Sequence, residues 1–130
     1  MIAFSSVQGH RVVASPDVLD AALWPHAYWV LRLAADELLL LDDTAADSVM
    51  PTVADPFAII EAESGFCEGW CDRARFDEIV RPHIDWAIPS TRPAFTQGLV
   101  AGVPCKLWFA DEGILILCST SHVHELEARL

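Results

Sequence analysis

The sequence predicts an α+β fold: an antiparallel or mixed sheet with helices packed on one face. Three observations carry that expectation. Residues 95–130 read as strand, turn, strand, turn, strand and closing helix. Strand-sized apolar stretches recur upstream, joined by hairpin-sized turns. Helix signals fall between them without the strict strand–helix rhythm that a parallel sheet requires.

Along the chain, Arg11 to Ala14 is the first predicted strand, after a loose start. Ser15-Pro16-Asp17 opens a short helix, with Ser15 as N-cap and Pro16 at the first helical position. The helix is expected to run to Leu23, before Trp24-Pro25 closes it. Tyr28 to Ala34 and Glu37 to Leu41 form a hairpin around Ala35-Asp36, with Trp29, Leu31 and Leu33 on one face. Arg32 is the one charge in that arm and reads as a snorkelling edge residue. Asp42 to Pro56 is an acidic loop with two prolines, either mobile or shaped to a partner. Phe57 to Glu63 returns to strand, and Ser64-Gly65 is expected to turn the chain. A helix follows from Arg73 at the latest, with Phe76, Ile79 and Val80 on one face. Arg81-Pro82 ends it, because the residue before a proline avoids the α region. Ile84 to Pro93 is an irregular crossover.

In 95–109 every odd-numbered residue except Gln97 is apolar, so the odd set is read as one buried face. Gly102 and Pro104 interrupt it and predict a tight turn, a bulge or an edge. Asp111-Glu112-Gly113 is a hairpin turn signal. Ile114 to Cys118 is apolar throughout, as in a strand covered on both faces. Ser119 to Ser121 offer N-cap oxygens, and Val123, Leu126 and Leu130 share a face of the closing helix.

At 130 residues the chain is expected to form a single domain, 1–130. Its formal charge of −11, with a lone lysine and seven arginines, excludes nucleic acid and anionic membrane surfaces as natural partners. A basic or electropositive partner protein fits, and so does plain solubility. No apolar run reaches the length of a membrane span, and no secretory signal opens the chain, so a cytoplasmic location is expected. Four cysteines in such a chain read as free, buried thiols rather than as disulfides.

Several groups invite a chemical reading. His122 and His124, followed by Glu125, would share a face only if extended, where Cys118 could join them around a metal. On a helix they diverge and are solvated. His83-Ile84-Asp85 could set a carboxylate behind an imidazole, but no nucleophile elbow accompanies it, and Asp85 reads rather as a cap or turn of the crossover. The six glycines form no phosphate-binding pattern. Arg92, Gln97, Lys106 and Trp108 are the candidate contact residues, for a partner protein or a planar ligand. Lys106 and Trp108 would share the less apolar strand face, with Thr96 and Gly98 on that side of the partner strand. The plainer reading is a tryptophan covered by the domain's own helix.

The stretches DELLLL, His83-Ile84-Asp85-Trp86, FTQGLVAGVPCKLWF and ILILCSTSHVHELEARL together resemble the gamma subunit of heterotetrameric sarcosine oxidase. That family is related to the folate-binding domain of glycine-cleavage aminomethyltransferases. The resemblance implies that folate-domain fold. It departs from the active enzymes at Gly102-Val103-Pro104-Cys105-Lys106, where they carry acidic residues, and in lacking their second half and C-terminal barrel. It therefore implies a non-catalytic accessory subunit of a flavin- and folate-dependent amine oxidase or demethylase. The partners implied are the larger flavoprotein oxidase subunits, or a second copy in a homodimer. No catalytic residue, metal or cofactor is expected of the chain itself, tetrahydrofolate being the one ligand left open. The alternatives are a stand-alone binder of a folate-like ring, stacked on Trp108 or Trp86, and a small thiol- or metal-dependent enzyme using Cys105, Cys118, His122 or His124.

Overall fold

The computed structural model describes residues 2–24, 29–41 and 53–130. The chain divides into two compact units, one of Val7–Ser64 and one of Met1–Ser6 with Gly65–Leu130. Every strand pairing whose register is described below is antiparallel.

The first unit holds most of β1 (Ser5–Val13), α1 (Pro16–Ala21), β2 (Trp29–Ala34) and β3 (Glu37–Leu41). Its strands lie in the order β2-β3-β1. β1 is longer than its apolar signal, because Ser5, Ser6, Gln8 and His10 keep it polar while its backbone still pairs. Val12, Ala14, Leu19, Leu38, Leu40 and Val53 form the core of this unit. The helix stops at Ala21, two residues before the expected end, and leaves Leu23 exposed. Ser15 flanks it as foreseen but makes no side-chain cap. Arg32 is more than an edge residue. Its Nη1 donates to Asp20 at 2.9 Å and its Nε to the Ala34 carbonyl at 3.0 Å, tying α1 to the hairpin. Tyr28 and most of the acidic 42–56 loop lie outside the described residues.

The second unit contains the end of β4 (Ile59–Asp72), α2 (Arg73–Arg75), β5 (Ala94–Val100), β6 (Val103–Phe109), β7 (Gly113–Ser119) and α3 (Val123–Arg129). Its strand order is β4-β7-β6-β5. β4 runs straight through Ser64-Gly65, so the turn expected there is absent. Glycine only weakens a strand, and Cys67, Gly69 and Cys71 carry the inward alternation onward. α2 continues into a π-helical turn, Phe76–Val80, and a 3₁₀ turn, Arg81–His83. Asp72 caps this segment by accepting from the Arg75 amide at 2.8 Å. Phe76, Val80, Val123 and Leu126 pack with Ile114, Ile116 and Cys118, so both helical segments cover one face of this unit's sheet.

One expectation about 95–109 is corrected. A two-residue turn at Ala101-Gly102, with φ of 51° and 80°, joins β5 to β6. It pairs even residues of β5 with odd residues of β6: Ala94 with Phe109, Thr96 with Leu107, Gly98 with Cys105, Val100 with Val103. Opposed residues share a face. The buried face is therefore odd in β6 and even in β5, and Phe95, Gln97 and Leu99 point the other way. Thr96 and Gly98 belong on the core side, not beside Lys106 and Trp108. Pro104 pairs with Leu99 just outside the β6–β7 ladder, which begins at Cys105, so its missing N–H breaks no bond there.

Candidate functional site

Three of the four predicted contact residues meet on the face of the β4-β7-β6-β5 sheet opposite the helices. Lys106 stands across from Gln97, and Trp108 across from Phe95. Lys106 Nζ donates to Gln97 Oε1 at 3.2 Å and lies 5.3 Å from the centre of the Phe66 ring, a cation–π distance. The same two rows continue through Leu117 and Leu115 of β7 to Glu68 and Trp70 of β4. Burial raises the Glu68 carboxyl above its ordinary value. At the outer strand β5, Gln97 and Leu99 are exposed, Leu99 to 51%. The face is thus aromatic and aliphatic, buried at Leu115 and Leu117 and open at Gln97 and Leu99, and it carries Lys106 and Glu68.

Arg92 does not join them. Its guanidinium lies 4.8 Å over the Phe109 ring on the helix-covered side, and its Nη1 donates to the Pro89 carbonyl at 2.7 Å. It forms one wall of a cleft of about 230 Å³. Arg73, Asp77 and Arg81, spaced four apart along the helical segment, line it as well, with Ile88 and Ser90 of the crossover. Phe76 and Ile114, both buried, lie at its base. Arg81 pairs with Asp77 at 3.3 Å. Arg73 is exposed, and Arg92 Nε is buried without an acceptor. The spacing of Arg73, Asp77 and Arg81 is visible in the sequence. Their convergence with Arg92 was not visible, because a crossover separates them.

The remaining candidates are used structurally. Trp86 Nε1 donates to the Leu99 carbonyl at 2.8 Å, and its ring lies where any side chain at Gly98 would stand, a Cβ there falling 2.6 Å from it. His83 accepts the Ala101 amide on its carbonyl at 3.0 Å, while Asp85 is exposed, and no described hydrogen bond joins the two side chains. His122 ends a 3₁₀ turn and His124 is the second residue of α3, so the extended geometry that would align them is not formed. Cys67 and Cys105 flank Cys118 in register across three strands, facing the core. Burial is the largest cause that pushes Cys71 and Cys118 up to about 11 and Cys105 to about 12, so these thiols stay protonated at neutral pH. Among the described residues no group of three or more His, Cys, Asp or Glu is placed to hold a metal ion. No described helix is long and apolar enough to cross a membrane.

No protein-family model matches the sequence, and no curated protein matches it. The fold does have a counterpart among solved structures. A chain of the heterotetrameric sarcosine oxidase from Corynebacterium sp. U-96, in complex with pyrrole 2-carboxylate, superposes with a TM-score of 0.74. The match covers 96% of this chain and 79% of that one at 14% sequence identity, so the protein has the fold of a sarcosine oxidase chain.

Proposed function

We propose that this protein is a non-catalytic accessory subunit of a flavin- and folate-dependent, sarcosine-type amine oxidase or demethylase, with a folate-binding-domain-like fold. The observation that carries this reading is the fold match over nearly the whole chain to a chain of a heterotetrameric oxidase. Two features support it. Among the described residues no nucleophile–base pair is formed, since three of the thiols are held protonated by burial and no described hydrogen bond joins the His83 and Asp85 side chains. The β5 edge also presents Gln97 and Leu99, with Lys106 and Trp108 behind them, as a surface on which a larger subunit can seat.

The test is affinity capture of the tagged chain from its native cells, with mass spectrometry of what accompanies it. Flavoprotein oxidase subunits in fixed ratio are expected, and Leu99→Asp with Lys106→Glu is expected to release them while the chain stays folded. Recovery of the chain alone, or only as a homodimer, removes the proposal. A stand-alone binder of a planar folate-like ring is the second reading, favoured by the Phe95–Trp108 pair beside Lys106. Quenching of tryptophan fluorescence by tetrahydrofolate, absent in Trp108→Leu, would establish it.

A further inference from the structure

We propose that the cleft between Arg73, Arg81 and Arg92 binds a small organic carboxylate. Its anionic head would be held by the guanidiniums, and its apolar body would lie against Phe76 and Ile88. This goes beyond the assembly reading and does not depend on it.

Charge gives the first reason. The chain is strongly acidic and holds eight basic residues, yet three of them line this one cleft. The one carboxylate in its lining, Asp77, pairs with Arg81. Guanidiniums gathered around a shared void repel one another unless an anion sits among them.

Unmet hydrogen bonding gives the second. The exposed Arg73 is bound to no described side chain and is available to a ligand, while Arg92 Nε is buried without an acceptor. A buried donor left in that state commonly marks a water or ion bound in solution. Arg92 is also fixed in place, by its bond to the Pro89 carbonyl at 2.7 Å and by its seat 4.8 Å over Phe109. A guanidinium already held loses little freedom when it takes a ligand, and its planar fork matches a carboxylate.

Size and lining select the class. Pockets for drug-sized ligands run from about 300 to 1,000 Å³. This cleft is smaller, at about 230 Å³, which suits a single ring or short chain rather than a nucleotide. Phe76, Ile88 and Ile114 add apolar surface that a bare inorganic anion would leave unused. The π-helical turn Phe76–Val80 lies between Arg73 and Arg81, and such turns recur at functional sites.

Titration of the full chain with sodium benzoate, followed by amide NMR shifts and calorimetry, tests the assignment, with benzamide and inorganic phosphate as comparisons. Saturable benzoate binding is expected at about 0.1–5 mM, the range for a ligand with few atoms and one strong head group. Its shifts should fall on residues 73–81 and 88–92. Benzamide and phosphate should bind at least about tenfold more weakly, and the exposed-site double variant Arg73→Gln, Arg81→Gln should weaken benzoate by a similar factor. Folding of that variant is checked by its unchanged amide spectrum elsewhere. No saturable benzoate binding, equal binding of benzamide, or an unaffected double variant would each overturn the proposal. Phosphate binding as tightly as benzoate would overturn the carboxylate class.

Discussion

Trp86 and Gly98 depend on each other. The indole covers β5 and donates to the Leu99 carbonyl at 2.8 Å, which it can do because Gly98 has no side chain. In Gly98→Ala the added methyl falls 2.6 Å from the ring, on backbone that β6 holds in register. Overpacking of this kind costs about 1–3 kcal/mol, so Gly98→Ala should lower the melting temperature and shift the tryptophan emission. Trp86→Phe, which removes the hydrogen bond but fits beside Gly98, should cost only about 1 kcal/mol for that bond plus a small packing loss. Equal effects of the two variants would show that the close approach does not matter. The cysteines make a second prediction. Burial raises Cys71 and Cys118 to about 11 and Cys105 to about 12, from an ordinary value of 9.0. A thiol with a raised folded pKa contributes stability that is fully present below its unfolded pKa and is lost as pH rises through the folded one. The melting temperature should therefore fall between pH 9 and 12. At pH 8 a thiol-disulfide reagent should label the native thiols far more slowly than the denatured chain. Rapid native labelling of all four would show that the core is open.

The β5–β6 hairpin shows what a sequence hides. The alternation in 95–109 was legible, and the strands are there. Which residues face inward was not, because a two-residue turn reverses the parity between its arms, and the odd-numbered pattern gave no sign of it. The last strand was legible for a physical reason: Ile114 to Cys118 is apolar throughout, and all of it is buried. The closing helix was legible from Val123 and Leu126, which are buried as their spacing required. The polar half of β1 and the passage of β4 through Ser64-Gly65 were not, since backbone pairing left no apolar mark there. Of the candidate contacts, Gln97, Lys106 and Trp108 are neighbours, whereas Arg92 belongs to a cleft that only the packing of α2 against the crossover creates. The turn and the cap of α2 are both open to test. Ala101 sits at a φ of 51°, where a Cβ is strained and asparagine is tolerated. Ala101→Asn should stabilise the chain by about 0.5–1 kcal/mol, read as a higher denaturation midpoint. Asp72→Ala removes the acceptor for the Arg75 amide and should cost about 1 kcal/mol. If benzoate binds as proposed, this variant should also weaken it, because the Arg73–Arg81 wall starts at that cap.

A formal charge of −11 on 130 residues sets carboxylates against one another over most of the surface. The more open of the described ion pairs offset this only slightly. Asp20 in its pair with Arg32 is 68% exposed, and Asp77 in its pair with Arg81 is 58% exposed. Pairs this open contribute about 0–1 kcal/mol each. Salt weakens both terms, so the direction of its effect tells which is larger. The screening length shrinks from about 30 Å at 0.01 M to about 8 Å at 0.15 M, which removes long-range repulsion first and close pairs last. The melting temperature should therefore rise between those two salt concentrations. Mild acidification should act in the same direction. Burial raises the Glu68 carboxyl, so the folded state holds that proton more tightly than the unfolded chain. The stability it contributes is present at low pH and is lost as pH rises through its folded value. A scan at low salt should accordingly give a higher melting temperature near the ordinary carboxyl value of 4.5 than at about pH 8, with the gap narrowing in added salt as the general repulsion is screened. A fall in melting temperature on adding salt would mean that specific ion pairs outweigh the excess negative charge. The acidic surface would then be held together by its few arginines rather than strained by its carboxylates.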